Sequence, residues 1–281
     1  MYIMLSIIEI PKSDKDLLEN INKAAWLRCA HFHYWVISLA LLNEQGYSES
    51  RKRMMQAMYI FPTQGKTISI FPGLEATGPI IYLNIFSGEG KKVYEAAQAA
   101  GCPPFTLVAI SDLDWNHDMV PWDSPPAFKN ADPCTGGADD YLRLLTEEII
   151  PMAEKKIAGV PCWRGIAGYS LAGLFALYSI YQTDVFSRVG SMSGSLWFPG
   201  MKEYIFSHEP KRRPDCMYFS LGDKESKTRN PVLKTVRQNT EEIQAFYHSK
   251  GIDTVFQLNP GNHYNHAAER TAAGIVWMLN R

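Results

Sequence analysis

No apolar run in these 281 residues is long enough to cross a bilayer. The longest, Tyr34 to Leu42, falls well short of the roughly 20 residues a spanning helix needs, and extending it backwards meets His33, His31 and Arg28. Charge of one sign is also lacking, with 28 Lys and Arg against 29 Asp and Glu, a net of −1. Without such a field nothing draws nucleic acid or a membrane surface, so neither is expected as a partner. Cysteine is sparse. Cys29, Cys102, Cys134, Cys162 and Cys216 are odd in number and widely spaced, without the close pairs of a zinc or redox site, so reduced thiols are expected. The first residues lack a basic stretch followed by an apolar core and a small-residue cleavage site, which leads to the expectation of a cytoplasmic protein. Internal repeats and low-complexity segments are absent as well.

What remains is an ordinary globular composition, 46% hydrophobic and 20% charged, in a chain long enough to bury a large core. Residues 1–55 differ from the rest. Asp14 to Gln45 reads as helical and is closed by Gly46, but Trp26 to Leu42 is apolar on nearly every side. Two readings stand for this preface. One is an N-terminal helical extension. The other is a stretch that is not native, because Arg51-Lys52-Arg53 followed by Met54-Met55 has the arrangement of a ribosome-binding site and start codon translated in error.

From residue 56 to 281, short β-branched runs alternate with helical stretches. Strands are expected over Met58–Phe61, Thr67–Phe71, Pro79–Asn84, Phe105–Ser111, Trp163–Tyr169, Ser187–Met192, Met217–Leu221 and Thr254–Leu258. Helices are expected over Lys91–Ala100, Ala138–Ile157, Leu171–Tyr181 and Pro231–Ser249. Such alternation implies an α/β domain whose mostly parallel central sheet carries helices on both faces.

One junction carries chemistry. Gly168-Tyr169-Ser170-Leu171-Ala172-Gly173 puts a serine where a strand meets a helix. An exposed nucleophile there needs a sharp turn, and the turn needs small residues two before and two after it. The bare pattern would arise by chance about 0.2 times in such a chain, so its position after an apolar strand is what gives it weight. Serine needs a histidine base, itself oriented by a carboxylate, and on this scaffold the order along the chain is serine, acid, histidine. Strand Met217–Leu221 runs into Gly222-Asp223-Lys224-Glu225, which offers Asp223 and Glu225, with Glu225 preferred by a small margin. Strand Thr254–Leu258 runs into Asn259-Pro260-Gly261-Asn262-His263. His263 is the expected base and His266 its competitor. His263, His266 and Glu269 have helical spacing, but no further ligand pair accompanies them and no metal is expected.

An oxyanion hole needs two backbone N–H groups. The scaffold suggests Leu171 for one, and Ile85 or Phe86, after strand Pro79–Asn84, for the other. The long loop Leu113–Ala138 carries Trp115, His117, Asp118 and Trp122. Together with Trp197 its tryptophans suit the wall of a pocket, or else simply pack the loop onto the sheet. Two decoys fail. Gly65-Lys66-Thr67 lacks the earlier glycine of a phosphate loop, and Gly88-Glu89-Gly90 is too short for a dinucleotide fingerprint.

Residues 58–279 resemble the Putative esterase family of α/β-hydrolases, which includes esterase D, enterochelin-type siderophore esterases, feruloyl esterases and mycolyltransferases. GYSLAGLFALY (168–178) is similar to the family's nucleophile elbow, SMSGSLWF (191–198) to its serine-rich strand, and PGNH (260–263) to the segment presenting its histidine. WNHDMVPW (115–122) resembles a loop beside the pocket, with Asp118 and Pro121 matching and Asn116 or His117 where Arg is usual. The resemblance implies an α/β-hydrolase fold in residues 56–281 and a carboxylic ester hydrolase without a cofactor. It also implies a triad of Ser170, His263 and Glu225 or Asp223. The implied partner is a small-molecule ester, with homo-oligomerisation left open. The missing Arg puts anionic, siderophore-like substrates in doubt. Acyl transfer to a sugar or alcohol, and a hydrolase-like binding module without activity, are the alternatives.

Overall fold

The computed structural model describes residues 59–281 apart from 74, 76, 128–130 and 158. The helix expected over Asp14–Gln45, the boundary at residue 55 and Met58 lie outside the described residues. Strands β1 (Tyr59–Thr63) and β2 (Lys66–Phe71) form a hairpin about Gln64-Gly65, and β2 lies antiparallel to β4 (Thr106–Ser111). From there the sheet is parallel. Beside β4 come β3 (Ile80–Asn84), β7 (Arg164–Tyr169), β8 (Arg188–Met192), β9 (Cys216–Gly222) and β10 (Asp253–Asn259), in the order β1-β2-β4-β3-β7-β8-β9-β10. The small ladder of β5 (Asp123–Ser124) and β6 (Cys134–Thr135) stands apart.

Parallel strands linked by helical crossovers are covered on both faces, so their sequences read as unbroken apolar runs. Strand β3 is buried at all five positions. Successive side chains serve opposite cores: Ile80 and Tyr82 face one, Ile81 and Leu83 the other. Strand β9 divides the same way, Met217 and Phe219 against Cys216 and Tyr218. Helix α1 (Gly90–Ala99) and the last helix, α8 (Ala267–Leu279), cover one face.

The opposite face is covered by α3 (Ala138–Leu144) with α4 (Ile150–Glu154), α5 (Leu171–Gln182), α6 (Met201–Ser207) and α7 (Val236–Ser249). Helix α5 is buried on all sides, from Leu171 to Tyr181, which explains its lack of a polar stripe. Helix α7 instead buries one stripe, Val236, Thr240, Ile243 and Tyr247.

The structure differs from the sequence-based expectations at three places. The helix expected over Ala138–Ile157 is interrupted by a π turn, Leu145–Ile149, before α4. Pro151, in the first turn of α4, has no N–H to give and its ring crowds the preceding turn, which the wider turn accommodates. The helix expected from Pro231 begins instead as a single 3-10 turn, Leu233–Thr235, ahead of α7. The long loop holds a short helix, α2 (Trp115–Asp118), as well as the β5–β6 ladder. Among the described residues no helix is long and apolar enough to cross a membrane.

Because the sheet is parallel from β4 to β10, the C-terminal ends of β3, β7, β8, β9 and β10 share one edge. The chain order reverses between β3 and β7, and open α/β sheets bind ligands outside such a point. Phe175, fully buried in α5 and 5.1 Å from the Tyr141 ring, reports on the core beneath that edge. Phe175→Ala is expected to cost about 3–5 kcal/mol in chemical denaturation. The control Val160→Ala, at a 74% exposed position, should stay within about 0.5 kcal/mol.

Candidate active site

Ser170 stands between β7 and α5 with φ +61° and ψ −126°, a conformation that costs a non-glycine residue about 1–3 kcal/mol. Its neighbours impose it. A Cβ at Gly168 would collide with the Ala172 carbonyl and lie 2.6 Å from the Ala172 methyl, so only glycine fits at 168. The alanine in place of the usual glycine at 172 is tolerated because its methyl uses the room Gly168 leaves. The turn is also held from β8: Ser170 N–H donates to Met192 O (3.1 Å), and Ser195 N–H donates to Ser170 O (3.0 Å).

The Ser170 hydroxyl lies 3.0 Å from His263 Nε2, and His263 Nδ1 lies 2.8 Å from Glu225 Oε2. Thus His263, from the loop after β10, meets the serine, and the loop after β9 supplies Glu225. His266 ends that loop with φ +56° at the start of α8, and its ring makes neither contact. The Glu225 side chain is buried, 4% exposed, and its second oxygen is saturated. Ser193 Oγ donates to Oε1 at 2.7 Å, Gly222 N–H at 2.5 Å and Arg270 Nη1 at 3.3 Å. Burial pushes the Glu225 carboxyl upward, but the hydrogen bond and charge of His263, with the Gly222 and Ser193 donors, outweigh it. The group is held below the ordinary range and stays ionised.

Asp223, the other candidate acid, does a different job. Its Oδ1 accepts Gly261 N–H at 2.7 Å, a bond that also lowers its pKa, and Lys227 lies 3.8 Å from its Oδ2. Asp223 braces the histidine loop from outside without touching the imidazole. The β9 and β10 loops are pressed together here, since a Cβ on Gly222 would collide with Gly261 O.

Above the serine opens a cavity of about 620 Å³, lined by Ser170, Glu225 and His263 and walled by Phe86, Trp115 and Trp197, among others. Leu171 N–H, first in α5, has no acceptor within its own helix, and the residue borders this cavity. Of its two expected partners, Ile85 is excluded: its N–H donates to Ile110 O at 2.9 Å, which leaves Phe86 as the candidate. The Phe86 ring, 70% exposed, meets Trp115 edge-on at 5.3 Å and forms the rim.

Two expected pocket residues lie elsewhere. Trp122 donates from Nε1 to Pro199 O (2.9 Å) and packs among Tyr178, Phe198 and Tyr204, so it fastens the loop onto the body. Asp118 is buried against Lys66 and accepts Asp114 N–H at 2.8 Å, which ties α2 to β2. His117 is spent on Thr135, its Nδ1 lying 2.9 Å from Oγ1. Conversely, Tyr169 and Ser193, which the quoted motifs contain without a role of their own, and Arg270, which lies outside those motifs, belong to the site. The trace Arg270 left is of another kind: it falls on the buried stripe of α8 with Gly274 and Met278, where a charge is out of place.

A family model described as Putative esterase matches residues 82–267. A Bacillus subtilis protein, YbbA, is 25% identical over 218 residues, covering 72% of this chain and 86% of its own. Among solved structures, the siderophore hydrolase EstA of Aspergillus nidulans superposes with TM-score 0.63 at 18% identity, covering 80% of this chain and 94% of its own. An IroE-like serine hydrolase from Shewanella oneidensis gives 0.64 at 16%, covering 79% of each chain. At these identities the structural likeness speaks for the fold alone.

The Glu225 geometry sets a pH dependence of stability. A carboxyl held below its unfolded value of 4.5 stabilises the fold fully above that pH, and the contribution fades as pH falls through the folded value. Glu225→Gln also leaves Arg270 without its buried counter-charge, a loss of about 3–5 kcal/mol near neutrality. In denaturation series from about pH 7 to pH 3, the gap between wild type and Glu225→Gln should narrow with acid.

Proposed function

Because this chain belongs to the Putative esterase family and is a carboxylic ester hydrolase on an α/β-hydrolase fold, we propose that Ser170 is its nucleophile, His263 the general base and Glu225 the acid that orients the base. The observation that carries this reading is the double engagement of one imidazole, 3.0 Å from the serine hydroxyl and 2.8 Å from the carboxylate. An ionised carboxylate at Nδ1 demands that the ring proton sit there. The Nε2 lone pair is then free for the serine proton.

The reaction follows from these positions. Ser170 Oγ attacks the ester carbonyl carbon as His263 Nε2 takes its proton, and the carbonyl π pair moves onto oxygen. The N–H groups of Leu171 and Phe86 receive that oxyanion, donors already fixed before charge develops. On collapse the C–O bond to the alcohol breaks and His263 returns the proton to the leaving oxygen. Water, deprotonated by the same nitrogen, then attacks the acyl-enzyme and releases the acid, restoring Ser170. Glu225 stays ionised throughout and stabilises the imidazolium.

The walls suggest the substrate. Phe86, Trp115 and Trp197 offer flat apolar surface next to the nucleophile, which suits an ester with an uncharged aromatic or branched acyl group. Structurally similar proteins bear names with an aromatic group in them, a ferulic acid esterase and an enterobactin esterase from Shigella flexneri seen with 2,3-dihydroxy-N-benzoyl-glycine, whose glycine end carries a carboxylate as well.

Purified protein is expected to hydrolyse p-nitrophenyl esters and to be labelled at Ser170 by a fluorophosphonate. Ser170→Ala should lower kcat/KM by about 10⁴-fold or more and abolish labelling. Glu225→Gln should lose about 10³-fold while Asp223→Asn keeps activity within about tenfold. Near-normal turnover by Ser170→Ala would refute the assignment.

A further inference from the structure

Arg270 is 4% exposed, and its guanidinium lies where the ends of four neighbouring strands converge. Its Nη1 is 3.2 Å from the Tyr169 hydroxyl at the end of β7, 3.4 Å from Ser193 Oγ after β8, and 3.3 Å from Glu225 Oε1 after β9. The same nitrogen lies 3.1 Å from Asn262 O after β10, and Nη2 donates to Pro260 O at 2.8 Å. Tyr169, the residue before the nucleophile, in turn donates to the His263 carbonyl at 2.7 Å.

We propose that Arg270 is a positioning residue that sets the spacing of Ser170, His263 and Glu225, by bonding the acid, the backbone of the histidine loop and the elbow tyrosine with one rigid guanidinium. The proposal rests on the triad reading above. Three loops that carry reactive groups have no covalent tie to one another, and reactive geometry fails with errors of about 1 Å. A planar fork can hold acceptors from several loops in one fixed relation, whereas an ammonium cannot. Arg270 is not among the residues lining the cavity, so its influence passes through Glu225 and His263.

Its position also has an electrostatic consequence. The titratable and charged groups in contact with the Glu225–His263 pair are Arg270 from α8, the Tyr169 phenol from β7 and Tyr264 on the histidine loop, each tyrosine ring 5.4 Å from the imidazole, while Asp223 and Lys227 pair with each other on the β9 loop. Arg270 is the buried, permanently charged member. Its cation favours the deprotonated state of the pair, so removing it lets the pair hold a proton to higher pH. The acidic limb of the kcat/KM profile then moves upward.

The test compares Arg270→Lys with Arg270→Gln in the full chain, with active sites counted by fluorophosphonate titration and folding checked by circular dichroism and melting. Arg270→Lys keeps the charge but loses the fork. Its kcat per titrated site is expected to fall about tenfold with KM within about twofold, and the acidic limb should stay in place. Arg270→Gln loses both, with kcat down about 100-fold and the limb shifted up by about one pH unit. The low-field Nδ1 proton resonance of the Glu225–His263 bond should broaden or vanish in Arg270→Gln and survive in Arg270→Lys.

Folded variants with kcat per site and acidic limb matching wild type would overturn the proposal. So would a loss confined to the number of active sites, which marks a purely structural role. Should Arg270→Gln fail to fold, a wild-type kcat per site in Arg270→Lys is the overturning result. Failure of the wild-type enzyme to take the label refutes the Ser170 reading and this one with it, whereas normal labelling with unmoved profiles refutes Arg270 alone.

Discussion

A carboxylate withdrawn from water costs several kcal/mol unless its lone pairs are met, and the site is built around meeting those of Glu225. One oxygen faces His263; the other collects Ser193, Gly222 N–H and Arg270. These partners come from the end of β8, the end of β9, and α8. Each loop at this edge of the sheet therefore has a required place, set by a charge that must not be left unpaired. The strain at Ser170 is sustained in the same way, by a glycine that leaves room and by bonds from the strand alongside.

The scaffold makes this possible. Six parallel strands bring their C-terminal ends to one side, and a core on each face holds those ends still. With both faces covered by helices, the loops that leave the strands meet at this end of the sheet. His263 lies 93 positions from Ser170 and 38 from Glu225 along the chain, and the loops at this edge bring the three together.

Much of this was legible beforehand, for local reasons. Strand and helix order follows from apolar runs and their punctuation, and the serine turn follows from the small residues at 168 and 172. Other features depended on contacts between distant segments. Trp115 and Trp122 sit in one loop with similar surroundings in sequence, yet one lines the cavity and the other packs among Tyr178, Phe198 and Tyr204. Asp118 reads as a pocket acid and is instead bound to Lys66. Nothing local distinguishes these fates.

The amino-acid order by itself determined the alternating α/β architecture, the serine between β7 and α5, and the loops after β9 and β10 that carry Glu225 and His263, because each is encoded in neighbouring residues. The tertiary structure decided that Glu225 rather than Asp223 lies against the imidazole, that the Ile85 N–H is spent on Ile110 while Phe86 stays at the cavity rim, and that Arg270 sits at the centre. Those outcomes turn on which groups meet across the edge of the sheet, and hydrogen-bond geometry between loops has no local signature.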